Sequence, residues 1–108
     1  MTSPYHSCKQ VSDCTGEFFF IFKDSRQCGI AAFAKDELDL FLSTHKIKTY
    51  HFYVQDNHKL KIDIQDTYGV RHQSPQLLIV QHGKVIAHLN HYAITAKNIA
   101  HAVKDSIQ

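Results

Sequence analysis

Phe18-Phe19-Phe20-Ile21-Phe22, then Lys23-Asp24-Ser25-Arg26-Gln27, then Cys28, then Gly29-Ile30-Ala31-Ala32-Phe33-Ala34 is the stretch on which the reading of this chain turns. The first segment is short, aromatic-rich and preceded by the turn residues Thr15-Gly16, which predicts a buried strand over Phe18–Lys23. After Cys28 the apolar period changes. Ile30, Ala31, Ala34, Leu38, Phe41 and Leu42 recur at three- and four-residue steps, with Lys35, Asp36, Asp39 and Ser43 on the other side, so a helix is predicted to about His45. A cysteine at such a strand-to-helix junction meets outward-facing backbone N–H groups and a helix dipole that favours an anion. That setting lowers a thiol's pKa and makes it a nucleophile.

Further on, Thr49–Val54 alternates Tyr50, Phe52 and Val54 against Thr49, His51 and Tyr53, as a second strand would. Asn57 is placed to cap a helix through Tyr68, with Leu60, Ile64 and Tyr68 as its inner stripe and Gly69 ending it. Leu77–Gln81 and Val85–Leu89 read as strands joined by a tight turn at His82-Gly83-Lys84. Thr95 caps a last helix whose inward residues are Ala96, Ile99, Ala102 and Val103. Upstream, residues 1–9 read as a loose start and Gln10–Cys14 as a short helical turn. A β–α–β unit, a helix, a hairpin and a closing helix make the thioredoxin-like order. The expectation is an α/β fold with a central mixed four-stranded sheet flanked by helices on both faces. No repeat or linker divides the chain, so 1–108 is read as one domain.

Composition narrows the function. Of 108 residues, 44% are hydrophobic and 20% charged, enough for an ordinary soluble core. The net charge of +2 gives no argument for nucleic acid or an anionic membrane surface as partner. No apolar run approaches the ~20 residues of a membrane span. The polar segment Met1–Cys14 lacks the apolar middle of a signal peptide, and the expected location is the cytoplasm. Three cysteines are too few and too odd for a disulfide scaffold, and in a reducing compartment they should be free thiols. Nine histidines are scattered along the chain, and His88 and His91 have no obvious third ligand, so no metal site is expected.

Cys28 is therefore the candidate catalytic residue. A free cysteine is often only a small buried hydrophobe, but its place ahead of a helical pattern favours the nucleophile. Ser74-Pro75, at the entrance to the third strand, is the second candidate element. In thioredoxin-like folds a proline here is cis and packs against the active cysteine, and the backbone of Ser74 is then free to pair with an extended substrate. A trans proline opening an edge strand is the plainer alternative. Gly29 and Ile30 would present amide N–H groups to a thiolate, so they join Ser74 and Pro75 as candidate binding residues. Arg26 and His72 are candidate modulators, with solvated or plain loop roles as the ordinary alternatives. Ala31 occupies the position where a C-x-x-C enzyme keeps its resolving thiol, so the expected chemistry is monothiol. Cys8 and Cys14 lack such context and read as incidental, with a resolving role as the lesser possibility.

These residues resemble one family, the YtxJ-type monothiol bacilliredoxins. The resemblance runs from about Phe18 to Ala102 and is most specific in Tyr68-Gly69-Val70-Arg71-His72-Gln73-Ser74-Pro75-Gln76, Val54-Gln55-Asp56 and His91-Tyr92-Ala93-Ile94-Thr95. It implies a thioredoxin-like fold and removal of bacillithiol from S-bacillithiolated cytoplasmic proteins. Cys28 falls on the family's nucleophile and Pro75 on its cis-proline. No bound cofactor is implied; the low-molecular-weight thiol is a co-substrate and thiolated client proteins are the partners. The family motif is typically Thr-Cys-Pro-Ile-Ser, whereas this chain has Gln27-Cys28-Gly29-Ile30-Ala31. The rival class is a non-catalytic thioredoxin-like adaptor, or an iron–sulfur module with Cys28 as ligand.

Overall fold

The computed structural model describes residues 3–27 and 29–106. Five strands form one mixed sheet: β1 (Tyr5–Ser7), β2 (Phe18–Asp24), β3 (Thr49–Tyr53), β4 (Gln76–Gln81) and β5 (Lys84–Asn90). Three α-helices accompany them: α1 (Gly29–Leu42), α2 (His58–Tyr68) and α3 (Ala96–Val103). The sheet order is β1-β3-β2-β4-β5. β3 runs parallel to both β1 and β2, while β4 lies antiparallel to β2 and β5.

β2 is central and covered on both faces, which is why it reads as an unbroken apolar run rather than an alternation. Its residues nonetheless divide by the two-residue period. Phe20 and Phe22 join Leu77 and Ile79 in a core under α1 and α3, filled by Ala34, Leu38, Phe41, Ile99 and Val103. Phe19 and Ile21 join Leu78 and Val80 in a second core under α2, with Tyr50, Phe52, Leu60 and Ile64.

The expected helix ends hold closely. Asn57 Oδ1 accepts the N–H of Leu60 at 3.0 Å, and Thr95 Oγ1 that of Asn98 at 3.0 Å. Gly69 closes α2 with a φ of 70° and donates its N–H to Gln65 at 2.8 Å, a left-handed cap that a residue with a Cβ adopts only under strain. In the β4–β5 hairpin, His82 and Gly83 both have positive φ, 52° and 79°, as a two-residue turn matched to the strand twist requires. α1 ends at Leu42 rather than near His45, and beyond it Thr44 N–H bonds Phe41 O at 3.3 Å in a tightened last turn.

Two expectations are corrected. The sheet has five strands, not four, and Tyr5–Ser7, within the segment expected to be loose, is the fifth. This edge strand pairs Tyr5 with Thr49, His6 with Tyr50 and Ser7 with His51. It is too short for a sequence alternation to reveal. It is held instead by tertiary contacts: the Tyr5 hydroxyl bonds Asp39 on α1, and the Tyr5 and His51 rings lie 5.5 Å apart. The expected turn at Gln10–Cys14 is a 3-10 turn over Val11–Asp13. No helix of the described residues is long and apolar enough to cross a membrane.

Candidate active site

One end of the sheet gathers the candidate residues. β2 and β3 finish there, with Asp24 opposite Tyr53, and β4 starts there, with Gln76 opposite Lys23 and Asn90. In open α/β sheets the carboxyl ends of parallel strands are where ligands bind. Cys28 itself lies outside the described residues. Its chain neighbours are described: Gln27 ends the turn after β2, and Gly29 opens α1.

The turn is tied down from β2 and from the segment after β3. Asp24 Oδ1 accepts Ser25 N–H at 2.7 Å, and Gln55 Oε1 accepts Arg26 N–H at 3.1 Å. Gln55 Nε2 also donates to Ser25 Oγ at 2.7 Å. The Arg26 guanidinium stacks 3.9 Å from the Tyr53 ring centroid and pairs with Asp56, Nη2 to Oδ2 at 2.6 Å. That hydrogen bond holds the Asp56 carboxyl below its ordinary pKa. The Val54-Gln55-Asp56 motif thus has a physical role, which is to fix the turn that leads to Cys28. Arg26 is engaged as a clamp, and its charge is shared with Asp56 rather than free.

Beneath the turn, Asp24 is buried and its Oδ2 lies 2.8 Å from His51 Nε2. Lys23, on the opposite face of the strand, is fully buried and donates from Nζ to Gln76 Oε1 at 2.7 Å. Gln76 passes this on, its Nε2 donating to Arg71 O at 3.1 Å and Asn90 Oδ1 at 2.9 Å. Burial, assisted by the nearby Lys61, pushes the Lys23 ammonium down to about 8. Burial likewise pushes His72 down to about 4, helped by Lys23, Lys61 and His58, so the imidazole is neutral at pH 7. The His72 N–H is anchored to Gln65 Oε1 of α2 at 2.7 Å. His72 therefore belongs to a buried polar cluster with Lys23 on the α2 side.

The Ser74–Pro75 peptide bond is cis, and Pro75 is buried at the head of β4. The Pro75 carbonyl accepts His91 N–H at 3.0 Å, and His91 does this from a left-handed φ of 51°. Ser74 Oγ and His72 Nδ1 are buried with no hydrogen-bond partner among the described residues. Gly29 is exposed, and a Cβ there would meet no heavy atom within 4 Å; Ile30 is half-buried. Beside the turn an open groove of about 380 Å³ is lined by Asp24, Ser25, Arg26, Ala31, Ala32, Lys35 and Tyr53.

The sheet end thus joins the start of α1, Arg26, Ser74 and Pro75. As site residues, Lys23, Asp24, His51 and Gln76 were passed over by sequence reasoning, and His91 was weighed only as a metal ligand. The available signal was the pair of charges closing an apolar strand just before the candidate nucleophile.

Among solved structures, the chain is similar to a proposed oxidoreductase with a thioredoxin fold, at 24% identity and a TM-score of 0.84, over 91% of this chain and 92% of that one. It is also similar to a mutant thioredoxin from Halobacterium salinarum, at 13% identity and TM-score 0.75, over 100% of this chain and 96% of that one. Thioredoxin from Malassezia sympodialis matches at 14% identity and TM-score 0.74, over 100% and 97%. At these identities the likeness shows the fold, which is that of thioredoxin. The family model described as monothiol bacilliredoxin BrxC matches residues 4–99, and with the fold it supports a thiol–disulfide redox function. The chain belongs to the monothiol bacilliredoxin BrxC family.

Proposed function

We propose that this protein is a cytoplasmic monothiol oxidoreductase that removes bacillithiol from mixed disulfides on client proteins, with Cys28 as nucleophile. The observation that carries the reading is the opening of α1 at Gly29, directly after Cys28, at the sheet end where cis Ser74–Pro75 heads β4. The family match supports it. The Cys28 thiolate attacks the small-thiol sulfur of the mixed disulfide. A Cys28–small-thiol disulfide forms, the original S–S bond breaks, and the client leaves as a thiolate that takes up a proton. A second small-thiol thiolate then attacks this adduct, releasing the symmetric small disulfide and restoring the Cys28 thiolate. The first-turn amides Gly29 and Ile30 stabilise the thiolate. Ser74 offers the client its backbone and Pro75 shapes the groove. The groove beside the turn, with Ser25, Arg26 and Lys35 on its wall, is the proposed seat of the small thiol.

The test is reduction of a bacillithiolated model protein by the wild type, by Cys28→Ser, and by the double variant Cys8→Ser with Cys14→Ser. Activity should vanish in Cys28→Ser and survive in the double variant. Oxidised bacillithiol, but not oxidised glutathione, should leave its mass on Cys28. Full activity in Cys28→Ser would overturn the assignment.

A further inference from the structure

A lysine ammonium can only donate hydrogen bonds, and Lys23 uses that property inside the sheet. The residue is fully buried and stands second from the end of β2. It faces Gln76 across the antiparallel β2–β4 pair, and Gln76 in turn faces Asn90 across β4–β5. Residues directly opposite share a sheet face, so the three side chains meet. Among the described residues Lys23 has no carboxylate partner. Burying a charge without one is costly, so stability alone does not account for a lysine here. Its bond to Gln76 fixes the amide. Because Nζ only donates, Gln76 must present Oε1 to it, at 2.7 Å. Both hydrogens of Nε2 then point away, one to Arg71 O at 3.1 Å and one to Asn90 Oδ1 at 2.9 Å.

The bond to Arg71 O closes a short loop over residues 71–76, with Ser74 and Pro75 inside it. The loop is also held from α2, where Gln65 Oε1 accepts His72 N–H at 2.7 Å, and from beyond β5, where His91 N–H donates to Pro75 O at 3.0 Å. Ser74 is left out of this pairing: its N–H and C=O make no hydrogen bond to any described residue. A segment pinned on both sides of an unpaired residue is preorganised to receive an extended chain. We propose that Lys23 is a positioning residue for the client: it orients the Gln76 amide and through it holds the Ser74 backbone ready for strand pairing. The inference rests on the reading that Ser74 offers its backbone to the client.

The experiment compares Lys23→Met and Gln76→Glu with the parent protein, all in a background of Cys8→Ser with Cys14→Ser and all checked for native far-UV circular dichroism. Gln76→Glu keeps an acceptor for Lys23 but has no N–H for Arg71 O and Asn90 Oδ1, so it tests the clamp with the lysine in place. With a bacillithiolated model protein as substrate, kcat/KM should fall at least about tenfold in both variants, mainly through KM. Alkylation of Cys28 by iodoacetamide needs no client groove and should keep the parent rate. Backbone amide relaxation by NMR should give Gln73 and Ser74 order parameters of about 0.85 in the parent and below about 0.6 in the variants. An unchanged kcat/KM in either folded variant would overturn the proposal. So would a parallel fall in alkylation, which would place the effect on the thiol instead of the client. A parent protein inactive on the bacillithiolated substrate would sink the functional reading instead; the order parameters then decide the positioning, and a rigid Gln73 and Ser74 in both variants refutes it.

Discussion

Lys23 gives a sharp test of the buried network under the candidate site. Its ammonium is fully buried and its pKa is pushed from 10.5 to about 8. Between those values the unfolded chain holds a proton that the folded chain has released, so stability rises with pH across the window. A shift of that size corresponds to a gain of about 1.3 kcal/mol between pH 7 and pH 9, approaching about 3 kcal/mol by the time the unfolded lysine also titrates. Lys23→Met keeps much of the volume and removes the titration, but leaves Gln76 Oε1 without its 2.7 Å donor. That loss costs about 1–3 kcal/mol, comparable to the burial penalty it relieves. The two proteins should therefore be similar at pH 7, and the wild type should pull ahead by about 1.3 kcal/mol at pH 9. Urea unfolding of both, at both pH values and under a phosphine reductant, measures the difference of differences and cancels titrations common to both. Equal pH dependence in the two proteins would refute a buried, proton-releasing Lys23.

Gly69→Ala forces a Cβ into a left-handed cap and should lower stability by about 1–2 kcal/mol in urea unfolding, with the native far-UV spectrum kept. Asp24→Ala leaves His51 Nε2 without its hydrogen-bond partner and Ser25 N–H without its acceptor; leaving these groups unsatisfied should cost about 1–3 kcal/mol, again read by urea unfolding. Ala31→Cys restores a C-x-x-C spacing at a position only 1% exposed, and mass spectrometry after treatment with oxidised bacillithiol should find a loss of about 2 Da in place of a lasting adduct. A persistent adduct in that variant would mean that residue 31 is out of reach of Cys28.

Sequence carried most of the frame because the signals were local. The Phe18–Lys23 run, the helical stripe from Ile30 to Leu42, and the caps at Asn57, Gly69 and Thr95 all act within one or two turns of chain. What escaped is held by distant partners. Tyr5–Ser7 becomes a strand only because β3 offers it an edge and Asp39 takes the Tyr5 hydroxyl. Lys23 reads as the polar last residue of the predicted strand and Asp24 lies beyond it, and nothing local supplies either charge with the partner that burial requires. Their partners are Gln76 and His51, residues that strand pairing brings beside them. The site shows the same division. Its candidate residues read locally, as a junction and a Ser-Pro pair. The supports, Gln55, Asp56 and His91, act through backbone contacts and long-range pairs that no local pattern reports.

The same geometry bears on the two departures from the Thr-Cys-Pro-Ile-Ser pattern. Gly29 sits where a Cβ would find open space, so sterics do not demand glycine there. Its effect is on the backbone: without proline's fixed φ the first turn of α1 is less preorganised. Ala31 is buried and lines the groove beside Arg26, so no hydroxyl supports a thiolate from that side. Arg26, the nearest cation in sequence, is already shared between Asp56 and the Tyr53 ring. On the proposed reading, the thiolate of Cys28 then depends mainly on the free amides and dipole of the α1 first turn, and on Ser74, whose Oγ has no partner among the described residues. Restoring rigidity with Gly29→Pro should therefore lower the thiol's pKa more than removing Arg26 raises it. Thiolate absorbance followed against pH in the two variants checks that ranking, and the reverse order would assign the stabilisation to the arginine instead of the helix.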